Sequence, residues 1–339
     1  MMPIVVMTMI PLLIAVGFSI DYSSAVTTRS NMQNALDAAV MSITTMPTTT
    51  TQANRQIALQ QTYNANDGLG TVTLTEVSII SGGTASFSAT ASYPMPTKFM
   101  GIVRINSVPI GIGSSVRKTP ALVQTTFKVS KVSGYWNKTM TLYGSKFGDK
   151  SVKPLMTIDY AYNGFGDPKG YGTTTVSIVN GSSSTVVQQQ VCTTKNVDNF
   201  NNLPSGAITQ TSGSKKYLTT CADTFYPSGG AGAVVDVSQM DSLYLQMDVP
   251  SGNPKTLKSN DPKTSNRMYI GASATNMPEI ATGQTVDIFT AVPCGQTGYH
   301  AWEDGGNAVP ADVSNADFFY SVMGKCDFNQ RPSQTVLTQ

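Results

Sequence analysis

The chain has 339 residues with 22 Lys and Arg against 20 Asp and Glu, a net charge of +2, and no basic run. So even a balance offers no electrostatic case for binding nucleic acid or acidic substrates. Charged residues make up 12%, about half the ~25% of ordinary soluble domains. Thr, Ser, Gly and Asn take their place, as in extracytoplasmic β-rich proteins where turn formers punctuate short β-branched strands.

The chain opens on an uncharged run, PIVVMTMIPLLIAVGFSI, Pro3–Ile20. A ~30 Å hydrocarbon core needs about 20 residues at 1.5 Å each, so the run reads as a membrane span at the short end of the range. A cleaved secretory leader would start with basic residues and stop after ~7–15 apolar ones at a small-x-small site. Here the first Lys or Arg is Arg29, and a stable anchor is expected instead. Pro11 is tolerated in such a helix with a kink. Helical spacing continues through IDYSSAVTTRSNMQNALDAAVMSI to Ile43, with Tyr22, Val26, Met32, Leu36, Val40 and Ile43 predicted on one face. Ala15, Gly17 and Ser19, and further on Ala35, Ala38 and Ala39, leave room for a second helix to approach closely.

MPTTTT, Met46–Thr51, ends this helix, and QANRQIALQQTYN predicts a second one from Gln52 to about Asn64. TVTLTEVSII and TASFSATASY then alternate apolar with polar residues on either side of Ser81-Gly82-Gly83, a hairpin pattern. After the proline-limited crossing PMPTKFMGIV, INSVPIGIGSSVRK reads as a third strand. Three strands are hardly stable alone, so they are expected to pack on the helices.

These residues resemble the N-terminal region of Tad-type (Flp) pilus proteins of the TadG and TadE kind. The likeness rests on Asp21-Tyr22 just past the apolar run, on Arg29, on Met32-Gln33-Asn34-Ala35-Leu36-Asp37-Ala38-Ala39, and on the later stretch around Pro96-Thr97-Lys98-Phe99-Met100-Gly101, and it extends over residues 1–117. It implies a pilin-like membrane protein that helps assemble, or forms part of, an adhesive bacterial pilus, and it implies no catalysis. Longer members carry a von Willebrand A-type domain with an Asp-x-Ser-x-Ser metal site. The nearest match, DVSQM at Asp236–Met240, lacks the second serine, so no such domain is expected.

From Ala121 onward, eight strand-like runs end in Gly, Asn or Pro: LVQTTFKVSKVSG, NKTMTLYGS, PLMTIDYAYNG, GTTTVSIVNG, STVVQQQV, AGAVVDVSQMDSLYLQMDV, NRMYIGAS and TVDIFTAVPC. They point to an antiparallel sandwich or jelly roll. The fold class is therefore α+β. A transmembrane, pilin-like helix spans 1–43, a small helix-plus-three-strand antiparallel module 44–120, and a mainly β extracytoplasmic domain 121–339.

Cys192, Cys221, Cys294 and Cys326 read as two disulfides in an oxidising compartment. Four cysteines allow three pairings, and the preferred one joins sequence neighbours, Cys192–Cys221 and Cys294–Cys326. A zinc reading finds no CxxC and only one histidine, His300. GYHAWEDGG, Gly298–Gly306, reads as a Trp-anchored turn ahead of an acid–base pair of His300 with Glu303 or Asp304, because no nucleophile accompanies it. Asp261, Asp304 and Asp317 are the carboxylates a calcium ion would draw on, although none sits in an Asp-x-Asp-x-Asp-Gly ladder. The aromatics of IDYAYNGFGDPKGYGT, Ile158–Thr173, are expected in the core, the alternative being exposed sugar- or protein-stacking tips.

No enzyme and no cofactor is expected. The leading expectation is a minor pilin-like structural or assembly component of a Tad pilus, single-pass in the bacterial inner membrane with the bulk of the chain periplasmic or on the pilus. Its partners would be other pilin-like subunits, the assembly machinery, the inner membrane, and a surface or glycan ligand for the β-domain. The assembly residues are Pro11, Gly17, Asp21, Tyr22, Arg29, Gln33, Asn34, Ala35, Asp37 and Ala38. A membrane-tethered carbohydrate- or calcium-binding protein unrelated to pili is the alternative.

Overall fold

The computed structural model describes residues 2–79, 84–305, 312–329, 331 and 335–338, the side chains of residues 2–14 and of Ile79 lying outside the description. The hairpin turn expected at Ser81-Gly82-Gly83 also lies outside it. The chain forms an N-terminal helix followed by mostly β structure in antiparallel sheets. It divides into two compact units, one of residues 1–121 with 327–339, the other of residues 122–326. The tail from Asp327, grouped by sequence with the C-terminal β-domain, thus belongs to the first unit.

In the first unit, helix α1 runs Met2–Ile43 and α2 Gln52–Ala65. Strands β1 (Thr71–Ile79), β2 (Ala85–Pro96) and β3 (Ser107–Lys118) form an antiparallel meander. Pro47 halts the chain just past α1, whose last carbonyls accept from the N–H groups of Thr44, Thr45 and Met46. Arg55 of α2 adds to these: its guanidinium donates to the carbonyls of Ile43 and of Pro47 past the helix end at 2.6 Å each and lies 5.1 Å over the Phe87 ring. A cation there also complements the negative end of the helix dipole. Gln56 and Gln60 of α2 bond the outward backbone groups of Val72 and Leu74, protecting β1, an edge strand.

One core joins Met32, Leu36, Ala39, Val40 and Ile43 of α1 to Leu59, Tyr63, Phe87, Ile110 and Val116. Burying such side chains is worth roughly 1.5–3 kcal/mol each before the cost of ordering them. Into the same core comes Phe328 from the tail, edge-on to Phe87 at 6.2 Å. Buried Lys118 holds that tail through the carbonyls of Asn329 and Arg331 and the hydroxyl of Thr335. A fourth strand of this sheet, Thr335–Leu337, pairs with β3; three residues at the far end of the chain carry no strand signal of their own.

The second unit is built from two sheets. Its strands in chain order are β4 (Ala121–Val132), β5 (Lys138–Lys146), β6 (Lys153–Tyr162), β7 (Gly172–Asn180), β8 (Ser183–Val197), β9 (Ile208–Ser212) and β10 (Lys215–Phe225). There follow β11 (Ala233–Asp236), β12 (Met240–Asp248), β13 (Thr256–Lys258), β14 (Met268–Gly271), β15 (Thr297–Trp302) and β16 (Phe318–Asp327), the tail strand being β17. The order is β13-β12-β5-β6-β7-β8-β10-β9 in one sheet and β11-β4-β16-β15-β14 in the other. A shared core, including Phe127, Leu142, Ile158, Leu245, Trp302 and Phe318, draws on both, as in a sandwich. Buried Gln188 of β8 brackets Val129 of β4, accepting from its N–H and donating to its carbonyl, and Gln190 donates to the Ser130 carbonyl. Gln188 and Gln190 of the run QQQ therefore face inward, where β4 extends past its pairing with β11.

Two sequence readings change here. TVDIFTAVPC is not a strand: Asp287 caps the N–H of Phe289 and starts a helical turn, Ile288–Ala291. AGAVVDVSQMDSLYLQMDV is two strands in different sheets, parted by a turn in which the Asp236 carboxylate accepts from Ser238 N–H. Both disulfides join sequence neighbours. Cys192 and Cys221 face each other across β8 and β10, and Cys294 is joined to Cys326. Each closes a loop of about 30 residues, worth roughly 3 kcal/mol on the loop-entropy model.

Candidate functional site

The outer part of α1 is arranged unlike its inner part. From Met32 to Ile43 the large apolar side chains are buried, as expected of an amphipathic helix. From Ala15 to Val26 the inward stripe is instead Gly17, Asp21 and Ala25, and the large apolar side chains Val16, Phe18, Ile20, Tyr22 and Val26 point outward. Tyr22 and Val26, predicted on the buried stripe, are exposed; Tyr22 stacks on Phe18 with ring centres 6.4 Å apart. The spacing misplaced them because the buried residues of this stretch are a glycine and a carboxylate, which hydrophobicity does not mark.

Asp21 is the anchor of this arrangement. Its carboxylate accepts from three consecutive backbone N–H groups: Lys98 at 3.0 Å, Phe99 at 2.9 Å and Met100 at 2.7 Å. Those donors open the 3-10 turn Met100–Val103, whose first N–H groups have no partner within the turn. Burial by itself would raise the Asp21 pKa; the three N–H groups and the charge of Lys98 outweigh it, and the net shift is downward. One turn earlier in the helix, a Cβ on Gly17 would lie 2.6 Å from the Phe99 Cβ. Glycine is therefore required for the turn to sit against α1, and the room it leaves is filled by Phe99 rather than by a second helix.

The other assembly residues fall at different places. Ala35 is in the core and Ala38 is half-buried. Gln33 donates to Asp37 and to the Gly113 carbonyl, tying α1 to β3. Arg29 and Asn34 line a groove of about 610 Å³ with Gln33 and hydroxyl residues of β2 and β3, among them Ser88 and Ser115. Pro11 lies outside the described side chains, as does most of the expected span Pro3–Ile20. Among the described residues no helix is long and apolar enough to cross a membrane.

The carboxylates proposed for calcium separate. Asp261 accepts from Lys263 N–H in a local turn. Asp304 and Asp317 come together with Glu303, oxygens of all three lying within 4.8 Å of one another. Lys138 Nζ lies against two of them, 2.6 Å from Asp304 and 3.2 Å from Asp317, and donates also to the Ser133 carbonyl. Gly134 makes room for that ammonium, since a Cβ there would lie 2.5 Å from it. Burial pushes Asp317 up to about 7, Lys138 opposing and Asp304 adding to the shift. Lys138 was not singled out in the sequence, where a lone Lys beside Asn137 carries no signal. GYHAW is strand β15 rather than a turn, with Glu303 and Asp304 just past its end. His300 is buried edge-on to Tyr320, and burial lowers it to about 4, so it is neutral near pH 7. Of the 158–173 aromatics, Tyr160 and Tyr171 are buried and Phe165 is exposed.

Residues 1–42 match the Tad family model, described as "Putative Flp pilus-assembly TadE/G-like". The N-terminal helix is Tad-like. The matched segment coincides with α1 to within a residue at either end, and it points to a pilus-related role. The match does not extend to the turn and strands before Arg117, which the resemblance had included. No curated protein and no solved structure matches the chain.

Proposed function

We propose that the chain is a minor pilin-like structural or assembly component of a bacterial Tad pilus. Its Tad-like helix is held in the inner membrane and packs among other pilin-like subunits, and its β-rich region is displayed as an adhesive or interaction module. The observation that carries this reading is the outward apolar face Val16, Phe18, Ile20, Tyr22 and Val26 on the stretch of α1 from Ala15 to Val26, where the chain's own module covers only Gly17, Asp21 and Ala25. Large side chains turned away from a protein's own core need lipid or another helix to cover them. Deleting Met1–Ile20 is expected to release the protein in soluble form and to remove it from sheared pili; a deletion variant that stays in the membrane fraction would overturn the proposal.

A further inference from the structure

The turn clasped by Asp21 is itself apolar at its tip. Ile102 is 74% exposed, and Val103 and Ile105 are exposed as well, while Phe99 packs by one edge on Gly17 and is open on the other. Side chains of this kind on a short connection are usually turned inward or replaced by polar residues. Here the backbone holds them out. Thr97 N–H donates to Asn106, Ile102 to Phe99, Arg104 to Gly101 and Ile105 to Met100, while Lys98, Phe99 and Met100 donate to Asp21. Arg104 takes the left-handed conformation, φ 66°, that closes the turn. Lys98, Phe99, Met100, Ile102, Arg104 and Ile105 thus have their N–H groups paired within the protein, which lowers the cost of unpaired amides at a lipid boundary.

Position and charge name the occupant. The clasp joins α1 at Gly17 and Asp21, where the uncharged run Pro3–Ile20 ends, beside the exposed Phe18–Tyr22 stack. Aromatic side chains gather at that depth in membrane proteins. Exposed Lys98 and Arg104 flank the apolar tip, and no Asp or Glu occurs from Pro94 to Pro109. Basic residues around an apolar tip suit anionic headgroups over acyl chains.

We propose that Lys98–Ile105 is a second membrane-contact element, inserting its apolar tip at the headgroup–acyl boundary of an anionic lipid surface beside α1. The inference rests on the membrane-held helix proposed above. Asp21 then serves to fix the depth of the turn relative to the helix.

The test uses the full chain in phosphatidylglycerol-containing vesicles, labelled with an environment-sensitive fluorophore at one site at a time: Ile102→Cys, Val16→Cys, or Ile57→Cys on α2. All three side chains are exposed, so the labels disturb no packing. The expected result is blue-shifted emission at 102, quenched most by doxyl groups near the lipid headgroup, with deeper quenching at 16 and none at 57. Quenching at 16 with 102 as unquenched as 57 overturns the turn's role and leaves the helix reading standing. Absence of quenching at both 16 and 102 overturns both. A shift at 102 that follows protein density in the vesicle and ignores the doxyl lipids overturns lipid as the occupant in favour of a second copy.

Discussion

Asp21 of the first unit and Asp317 of the second are both buried, and their surroundings treat them in opposite ways. Asp21 meets three backbone N–H groups, which favour the ionised form and lower its pKa. Asp317 sits beside Asp304 and Glu303, paired with Lys138 at 3.2 Å, and is pushed up to about 7. Donors, more than depth, decide what a buried acid does. Asp21 is a joint between a helix and a turn, whereas the Lys138 group is part of the sandwich core, where Asp304 and Asp317 share the Lys138 ammonium.

The contrast breaks most visibly at Lys138. Lys138→Met leaves Asp304 and Asp317 buried without that partner, and a loss of about 3–5 kcal/mol is expected in chaotrope denaturation of the disulfide-intact chain. Adding Asp304→Asn and Asp317→Asn to it should recover part of the loss. A cost under about 1 kcal/mol would place the group in solvent, as for a surface pair. A smaller, local effect is expected at Asp21. Asp21→Ala frees three N–H groups, so amide exchange at Lys98, Phe99 and Met100 should rise while the denaturation midpoint of the sandwich stays put. Unchanged exchange there would mean that the turn holds its place without the carboxylate.

The smallest effect is a pH slope. Asp317, at about 7 when folded and 3.8 as its ordinary value, binds its proton first in the folded chain. Its contribution to stability therefore grows as pH falls from about 7 toward 4. His300, ordinarily at 6.5 and lowered to about 4, binds its proton first in the unfolded chain, so its contribution shrinks across nearly the same window. The two oppose, and the natural chain should show a nearly level denaturation midpoint from pH 6.5 to 4. Asp317→Asn should make that stretch slope downward toward acid; a midpoint that stays level in the variant would refute the assignment.

Much of the local structure was legible. The long helix to Ile43, the second helix, the hairpin pattern, several sandwich strands and the neighbour pairing of the cysteines follow from periodicity, turn residues and loop length, which act over a few residues or one loop. Strand β16 carries a period-2 signal in FFYSVMGKCD, whereas β15 buries His300, Ala301 and Trp302 in succession and runs into the turn-forming EDGG, so its period is hidden.

What sequence could not supply are the meetings of distant residues. Asp21-Tyr22 and Lys98-Phe99-Met100 stood as separate pieces of one resemblance, and only folding places the acid of the first on the amides of the second, 77 to 79 residues away. Likewise Lys118 meets the tail more than 200 residues on, and Lys138 meets Asp304 and Asp317. Amphipathic spacing determined that α1 is a helix with a buried inner half. Which way its outer half faces was decided by a glycine and a carboxylate fitting one turn, a match of shape and hydrogen bonding that hydropathy does not record.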